Sequence, residues 1–273
     1  MPELPEVEVT RLGILPHIQQ QTIRSVTVRE ARLRWAIPSD FPQQLMQQTV
    51  MDVQRRAKYV QILCTDGMIL LHLGMSGHLQ LINPQAIPVK KHDHVDINFS
   101  DTLCLRYHDP RRFGCLLWIP HDAVQSHPLL THLGVEPLEP TFNGNYLYQR
   151  AKKRRVAVKN FIMNQAIVVG VGNIYASESL FQARINPQQI AGSVSLSHYQ
   201  LLCDAIKTIL TQAIAQGGTT LKDFKQSDGK LGYFAQQLQV YGREGEPCQI
   251  CQQTIKKITQ GQRSSFYCPD CQA

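Results

Sequence analysis

The spacing of apolar and polar residues changes once along the chain, near Pro128. Upstream, alternation and short apolar blocks predict strands over residues 50–55, 59–65, 68–75, 78–82, 95–99, 102–108 and 114–119. Asp66-Gly67 and Ser100-Asp101 separate neighbouring strands, and closely spaced antiparallel hairpins of this kind form a sandwich or barrel. Ahead of them residues 5–15 predict a helix, with Pro5 at a first-turn position and Glu6 and Glu8 where carboxylates favour a helix N-terminus. Downstream the period becomes helical, over 146–163, 173–183 and a long amphipathic segment from Ser197 that carries Leu201, Leu202, Ala205, Ile206, Ile209, Leu210, Ala213 and Ile214. Ser197 and Gln200 have capping-box spacing, and Gly217-Gly218 supplies the stop. A glycine-bearing stretch, 217–233, leads to a short predicted strand at 238–241. The expected fold class is α+β: an N-terminal antiparallel β-sandwich with a flanking helix, then a helical domain, then a cysteine-bearing appendage.

A chain of 273 residues, 43% of them hydrophobic, has material for more than one core, and we expect domains at 1–131, 132–238 and 239–273. The net charge of +7 favours a polyanionic partner without identifying one. No apolar run reaches the ~18 residues of a membrane span, and Met1-Pro2-Glu3 is acidic where a secretory signal is basic. The expectation is a cytoplasmic protein with no membrane partner. Cys64, Cys104, Cys115 and Cys203, scattered among apolar neighbours, read as buried free thiols.

The other four cysteines form Cys248-x-x-Cys251 and Cys268-x-x-Cys271, at zinc-ribbon spacing. Four thiolates fill a tetrahedral shell and leave no position for water, so the ion expected, one zinc per chain, is structural. A redox pair or a mononuclear iron site are the competing readings. Lys256, Lys257 and Arg263 lie on this unit, either to meet phosphates or as a solvated face.

Removal of Met1 would expose the secondary amine of Pro2, whose pKa near ~8 leaves a neutral, nucleophilic fraction at pH 7. Attack on an aldehydic carbon would give a cationic iminium, with Glu3 and Glu6 within reach as proton carriers. On those residues alone, an ordinary terminus is the better reading.

Motifs in order change that balance. Met1-Pro2-Glu3-Leu4-Pro5-Glu6-Val7-Glu8, His72-Leu73-Gly74-Met75-Ser76-Gly77, Lys91-His92-Asp93-His94-Val95-Asp96, Asp109-Pro110-Arg111-Arg112-Phe113-Gly114, Gly170-Val171-Gly172-Asn173-Ile174-Tyr175-Ala176-Ser177-Glu178 and the terminal cysteines resemble the formamidopyrimidine-DNA glycosylase family over essentially the whole chain. The resemblance implies a helix-two-turns-helix DNA-binding domain and a four-cysteine zinc finger. It implies a monomeric, nucleoid-associated base-excision enzyme that acts on double-stranded DNA containing oxidised purines or abasic sites. In that scheme Pro2 is the Schiff-base nucleophile at C1′ and Glu3 protonates the opening sugar. Lys58 serves β-elimination and Arg263 δ-elimination; both are also readable as phosphate clamps, Arg263 about equally so. Glu6 belongs to the base pocket.

A base within a duplex must be extruded before its glycosidic bond is reachable. The resemblance assigns Met75, Arg111 and Phe113 to the wedge that fills the gap, although ordinary sandwich core would explain Met75 and Phe113. It also assigns His72, His92, Arg154, Lys159, Asn173 and Lys222 to DNA binding, Lys222 within a loop that closes over the extruded base. The dense run Arg150, Lys152, Lys153, Arg154, Arg155 and Lys159 reads as a phosphate track, and Gly170-Val171-Gly172-Asn173 as a helix start holding a phosphate. A dinucleotide reading of that motif fails, because Tyr175 stands where a third glycine is required. His92 and His94 would share a strand face, an H-x-H pair lacking a third metal ligand. Basic density at residues 55–58 and 106–112 is expected to follow the phosphate backbone, while Glu3, Glu6 and Glu8 gather at the nucleophile. The family pattern is departed from at Arg154 and Arg155, where lysines are expected, at Leu231 for proline, and at Asn164 for an acidic residue. Activity on oxidised pyrimidines, of the endonuclease VIII type, is the nearest alternative; a non-catalytic zinc-dependent DNA-binding regulator is another.

Overall fold

A computed structural model describes residues 2–219 and 237–273. They fall into two compact units. The first holds residues 2–131 with 216–219, the second 132–215 with 237–273. The cysteine-bearing segment falls in the unit that holds residues 132–215.

In the first unit, helix α1 (Leu4–Ile18) precedes strand β1 (Ser25–Val28) and the short helix α2 (Phe41–Leu45). Seven strands follow: β2 (Val50–Arg56), β3 (Tyr59–Cys64), β4 (Gly67–His72), β5 (His78–Ile82), β6 (Asp93–Asn98), β7 (Cys104–His108) and β8 (Cys115–Pro120), with helix α3 (Pro128–Thr131) at the end. They form two antiparallel four-stranded sheets, β2-β3-β4-β8 and β1-β6-β7-β5. Val53, Ile62, Leu71 and Leu116 from one sheet and Val95, Ile97, Leu105 and Tyr107 from the other share one core with Val7, Ile14 and Ile18 of α1. This is a β-sandwich with a helix sealing part of its edge. Gly67 lies in β4 itself, not in the turn: a Cβ there would stand 2.5 Å from the Ile119 carbonyl oxygen and 2.7 Å from the Trp118 ring. The residue serves close strand packing. Cys64, Cys104 and Cys115, and Cys203 in the second unit, are buried, and burial pushes each thiol up to about 12.

The second unit contains α4 (Gly144–Ala151), α5 (Val158–Ile162), α6 (Asn173–Gln182), α7 (Leu196–Ala215) and the hairpin β9 (Lys256–Gln260) and β10 (Arg263–Tyr267). The continuous helix expected over 146–163 is broken. Lys153 takes a left-handed φ of 62°, and the backbone of 154–157 bonds instead to 190–192 through Ala191 N–H to Val156 O and Gly192 N–H to Arg154 O. In α7 the apolar stripe is buried as expected except at Leu201, which is 55% exposed, and Ile214, which is half-buried; Ser195 caps the helix by accepting the His198 amide. No helix among the described residues is long and apolar enough to cross a membrane.

Candidate functional site

Pro2, Glu3 and Glu6 are buried at the start of α1. Glu6 is fully engaged by backbone: Oε2 accepts the Glu3 amide at 2.7 Å and Oε1 the Thr219 amide at 2.8 Å. Gly218, at φ 81°, lies so close that a Cβ would meet Glu6 Oε1 at 3.2 Å. Glu6 therefore fixes the chain terminus and anchors the last residues described before 220–236. Lys222 and Leu231 lie outside the described residues.

Glu8, expected to gather at the nucleophile with Glu3 and Glu6, is a clamp. It receives Arg11 at 2.6 Å and Arg55 at 3.0 Å, and the Arg55 guanidinium also donates to the Ala57 carbonyl at 3.0 Å. Ala57, left-handed at φ 55°, and Lys58 form the two-residue turn between β2 and β3. The Glu8–Arg55–Ala57 chain thus ties the Lys58 turn to the helix that begins beside Pro2, and Lys58 is 8% exposed.

Strand β4, expected to reach Met75, ends at His72. The Gly74 amide donates to His72 Nδ1 at 2.9 Å, turning the chain so that Met75 stands half-buried on a loop. Burial, with the Lys58 and Arg34 cations, lowers the His72 pKa to about 4, so the ring is neutral at pH 7 and its second nitrogen carries the hydrogen. The Arg111–Phe113 loop faces this turn. A Cβ on Gly74 would meet the Phe113 backbone at 2.5 Å. Phe113 is 43% exposed, and the Arg111 guanidinium stands 4.8 Å from its ring centroid.

Asp109 joins the two loops. It is wholly buried. Oδ1 accepts Ser76 Oγ–H at 2.9 Å and the Arg111 amide at 3.3 Å; Oδ2 accepts Tyr107 O–H at 3.0 Å and the Gly114 amide at 2.9 Å. The backbone oxygen of Asp109 lies 2.8 Å from His94 Nε2. Gly114 has no room for a side chain, since a Cβ would overlap the Tyr107 hydroxyl. The sequence pattern gave Asp109 no role of its own. A carboxylate one residue before Pro110, flanked by β7 and a glycine, is the signal that could have found it.

Two sequence expectations for charged groups in this unit are corrected. Arg106, placed in the basic stripe, is 1% exposed and binds Asp96 through two 2.8 Å contacts and Asp93 at 3.4 Å. It neutralises buried carboxylates between β6 and β7. His92 and His94 do not share a strand face: His92 precedes β6 with a left-handed φ of 79°, its ring set edge-on 6.1 Å from His94 and 6.0 Å from His108. Partial desolvation and the neighbouring Lys91 lower its pKa. Among the described residues the His92 region does not bring together three metal-ligating groups.

In the second unit Arg150, Lys152, Lys153, Arg154 and Arg155 are exposed, as a phosphate track requires. Lys159 is not part of it. At 1% exposure its Nζ donates to Asn173 Oδ1 at 2.7 Å, Ser265 Oγ at 2.8 Å and the Ser264 carbonyl at 3.1 Å. Asn173, the first residue of α6, also donates to the Ser264 carbonyl at 2.9 Å. Lys159 therefore locks the start of α6 to β10, a burial that spends all three ammonium hydrogens. Arg263 opens β10 beyond the turn Gly261-Gln262, both left-handed, and its side chain is exposed. Asn164 accepts the Ala166 amide at 2.9 Å in a local turn.

Glu178 on α6 was also unassigned. It is 4% exposed and accepts the successive amides of Gln239, Val240 and Tyr241 at 2.8, 3.0 and 2.8 Å. Burial raises its pKa despite these bonds. The strand expected at 238–241 is thus a strap wrapped on a carboxylate. Beyond it, Cys248, Cys251, Cys268 and Cys271 bring their sulfurs within 4.8 Å of one another, with edges of 3.4 Å (Cys251–Cys268) and 3.9 Å (Cys248–Cys271). Tetrahedral thiolates around an ion with ~2.3 Å bonds are about 3.8 Å apart, so the four residues fit such an ion. Phe181, Val240, Ile255 and Phe266 supply the small apolar core beside them.

Comparison with known proteins covers most of the chain. Residues 1–116 match the formamidopyrimidine-DNA glycosylase N-terminal domain, 133–225 the H2TH domain of the same enzymes, and 245–273 a zinc finger found in FPG and IleRS. The formamidopyrimidine-DNA glycosylase of Hahella chejuensis is 54% identical over 272 residues, covering 100% of both chains. Two Lactococcus lactis Fpg structures, one with DNA containing an abasic site and one, a point mutant, with DNA containing Fapy-dG, superpose with TM-scores of 0.91 at 33% and 32% identity, each covering 99% of both chains.

Proposed function

The chain belongs to the formamidopyrimidine-DNA glycosylase family, DNA-repair enzymes with a zinc finger, and from that premise we propose a bifunctional glycosylase and abasic-site lyase acting on oxidised purines in duplex DNA. The Pro2 amine, once freed from Met1, attacks C1′ of the extruded nucleotide and the base departs; the nitrogen loses its proton, and its lone pair then forms the iminium as the C1′–O4′ bond breaks. Glu3 supplies the proton that opens the sugar. Lys58 carries protons in β-elimination and Arg263 in δ-elimination, leaving a one-nucleoside gap flanked by phosphates. His72, His92, Arg154 and Asn173 hold the backbone, while Met75, Arg111 and Phe113 fill the vacated stack. Lys159 enters this reading as the residue that positions Asn173, and Glu6 as the one that fixes Glu3. The four cysteines hold one structural zinc, which supplies cross-linking and no reaction chemistry.

The observation that best supports this reading is the Glu8–Arg55–Ala57 tie, which couples the Lys58 turn to the helix beginning at Pro2–Glu3. An amine nucleophile and its proton-transfer partner need such mutual fixing. Borohydride trapping tests it. Protein whose intact mass shows loss of Met1 should cross-link to duplexes bearing 8-oxoguanine or an abasic site, and Pro2→Gly should lose the cross-link while duplex affinity is kept. Failure of the processed protein to cross-link would sink the lyase mechanism. Faster excision from oxidised-pyrimidine than from 8-oxoguanine duplexes would replace the purine assignment.

A further inference from the structure

Phe113 stands between two concavities of the first unit. One, of about 170 Å³, is lined by Tyr59, His72, Gly114 and Cys115; the other, of about 560 Å³, by Arg32, Leu33, Arg111 and Arg112, and Arg34 and Phe113 border both. The two differ in charge. On the small side Arg34 is the one lining guanidinium, close enough to the His72 ring to help lower its pKa. On the large side Arg32, Arg111 and Arg112 line the wall together with Arg34, and one carboxylate, Glu30, holds Arg32 at 2.7 Å and Arg112 at 3.2 Å. Those two bonds set the groove before any ligand arrives, leave three positive charges uncompensated, and join the 30–34 segment to the Arg111–Phe113 loop.

We infer that the groove of Arg32 and Arg112 holds the phosphates of the DNA strand opposite the lesion. The inference rests on the glycosylase reading and extends it. A duplex kinked over an inserted ring sends one strand to each side of that ring. The strand to be cut must reach Pro2 and Lys58, which lie in the fold with His72. The partner strand then falls on the other side of Phe113, where the arginine-walled groove matches a polyanion. Guanidinium forks suit phosphate oxygens, and the Phe113 and Leu33 side chains offer an apolar wall to the sugar edge. The enzyme would thereby measure whether its lesion is in a duplex, and not only whether it is damaged.

The experiment compares duplex and single-stranded oligonucleotides carrying a tetrahydrofuran abasic analogue. Arg32→Ala and Arg112→Ala should each weaken duplex binding roughly tenfold, the worth of one charge-assisted phosphate contact. Each should reduce the salt slope of duplex binding by about one. Neither should change the Kd for the single strand. Methylphosphonates placed one at a time in the complementary strand should weaken wild-type binding opposite the lesion, and weaken Arg32→Ala little further at the same positions. Equal losses on single strand and duplex, or indifference of the wild type to every complementary-strand methylphosphonate, would overturn the inference. Borohydride trapping of wild-type protein on abasic duplex runs beside it. Absent trapping strikes the glycosylase reading, whereas normal trapping with unchanged duplex affinity in both variants overturns this inference alone.

Discussion

Removing the Asp109 carboxylate should cost the first unit more than removing any other single polar group near the Met75 and Arg111–Phe113 loops. Asp109→Ala leaves the Gly114 amide and the Tyr107 hydroxyl, both held by Oδ2, without acceptors in a site closed to solvent. Each orphaned buried donor costs about 1–3 kcal/mol, so the expected loss is about 4 kcal/mol. Asp109→Asn should be far milder. An asparagine can present its oxygen to Gly114 and Tyr107 and its NH2 to Ser76, whose hydroxyl can accept; only the longer Arg111 amide contact of 3.3 Å is forfeited. About 1–2 kcal/mol is expected there, including the weaker pull of a neutral acceptor. Amide hydrogen exchange at Gly114 reads this directly: protection should fall about a thousandfold in Asp109→Ala and roughly tenfold in Asp109→Asn. The Ala variant should also lose discrimination between bases opposite 8-oxoguanine, since Arg111 and Phe113 are no longer held in one frame with Met75. Protection at Gly114 in Asp109→Ala within tenfold of wild type would refute the reasoning.

Lys159→Met should destabilise the second unit by about 2–4 kcal/mol in urea unfolding, because Asn173 and Ser265 lose a buried charged partner. Arg154→Ala, by contrast, should leave stability within about 0.5 kcal/mol and lower the salt slope of DNA binding by about one. Because the His72 pKa is depressed to about 4, folding favours the neutral ring; the stability it contributes is complete above pH ~6.5 and is lost as pH falls through about 4. Up to about 3 kcal/mol should disappear across that window in pH-dependent urea melts, and the loss should be absent in His72→Asn. Elemental analysis should find one zinc per chain. A strong chelator should abolish duplex binding and expose the β9–β10 hairpin to proteolysis, while leaving exchange protection at Gly114 unchanged.

Hairpins and cysteine spacing were legible because their determinants are local. Alternating side chains place β2 to β8 within a few residues, whereas β1 is short and half exposed and carries little periodic signal. The break between α4 and α5 depends on a backbone exchange with 190–192 that no helical period reports. Charge proved least legible. Arg106 and Lys159 look like surface cations in sequence, and only their distant partners, Asp96 and Ser264–Ser265, show why both are buried. The reverse holds for Asp109 and Glu178, whose importance lies in backbone amides, which every residue but proline possesses.

The Glu178 strap bears on how far this architecture can be taken apart. The finger proper matches a unit found in two kinds of protein, yet the carboxylate that seats its lead-in residues lies on α6, some sixty positions earlier. A chimaera that exchanges only residues 245–273 keeps its host's seating, because strap and carboxylate both stay behind. One cut upstream of Gln239 imports a strap with no matching acid and leaves three amides facing a vacancy. Where a designer places the splice therefore decides whether the graft arrives oriented or merely attached.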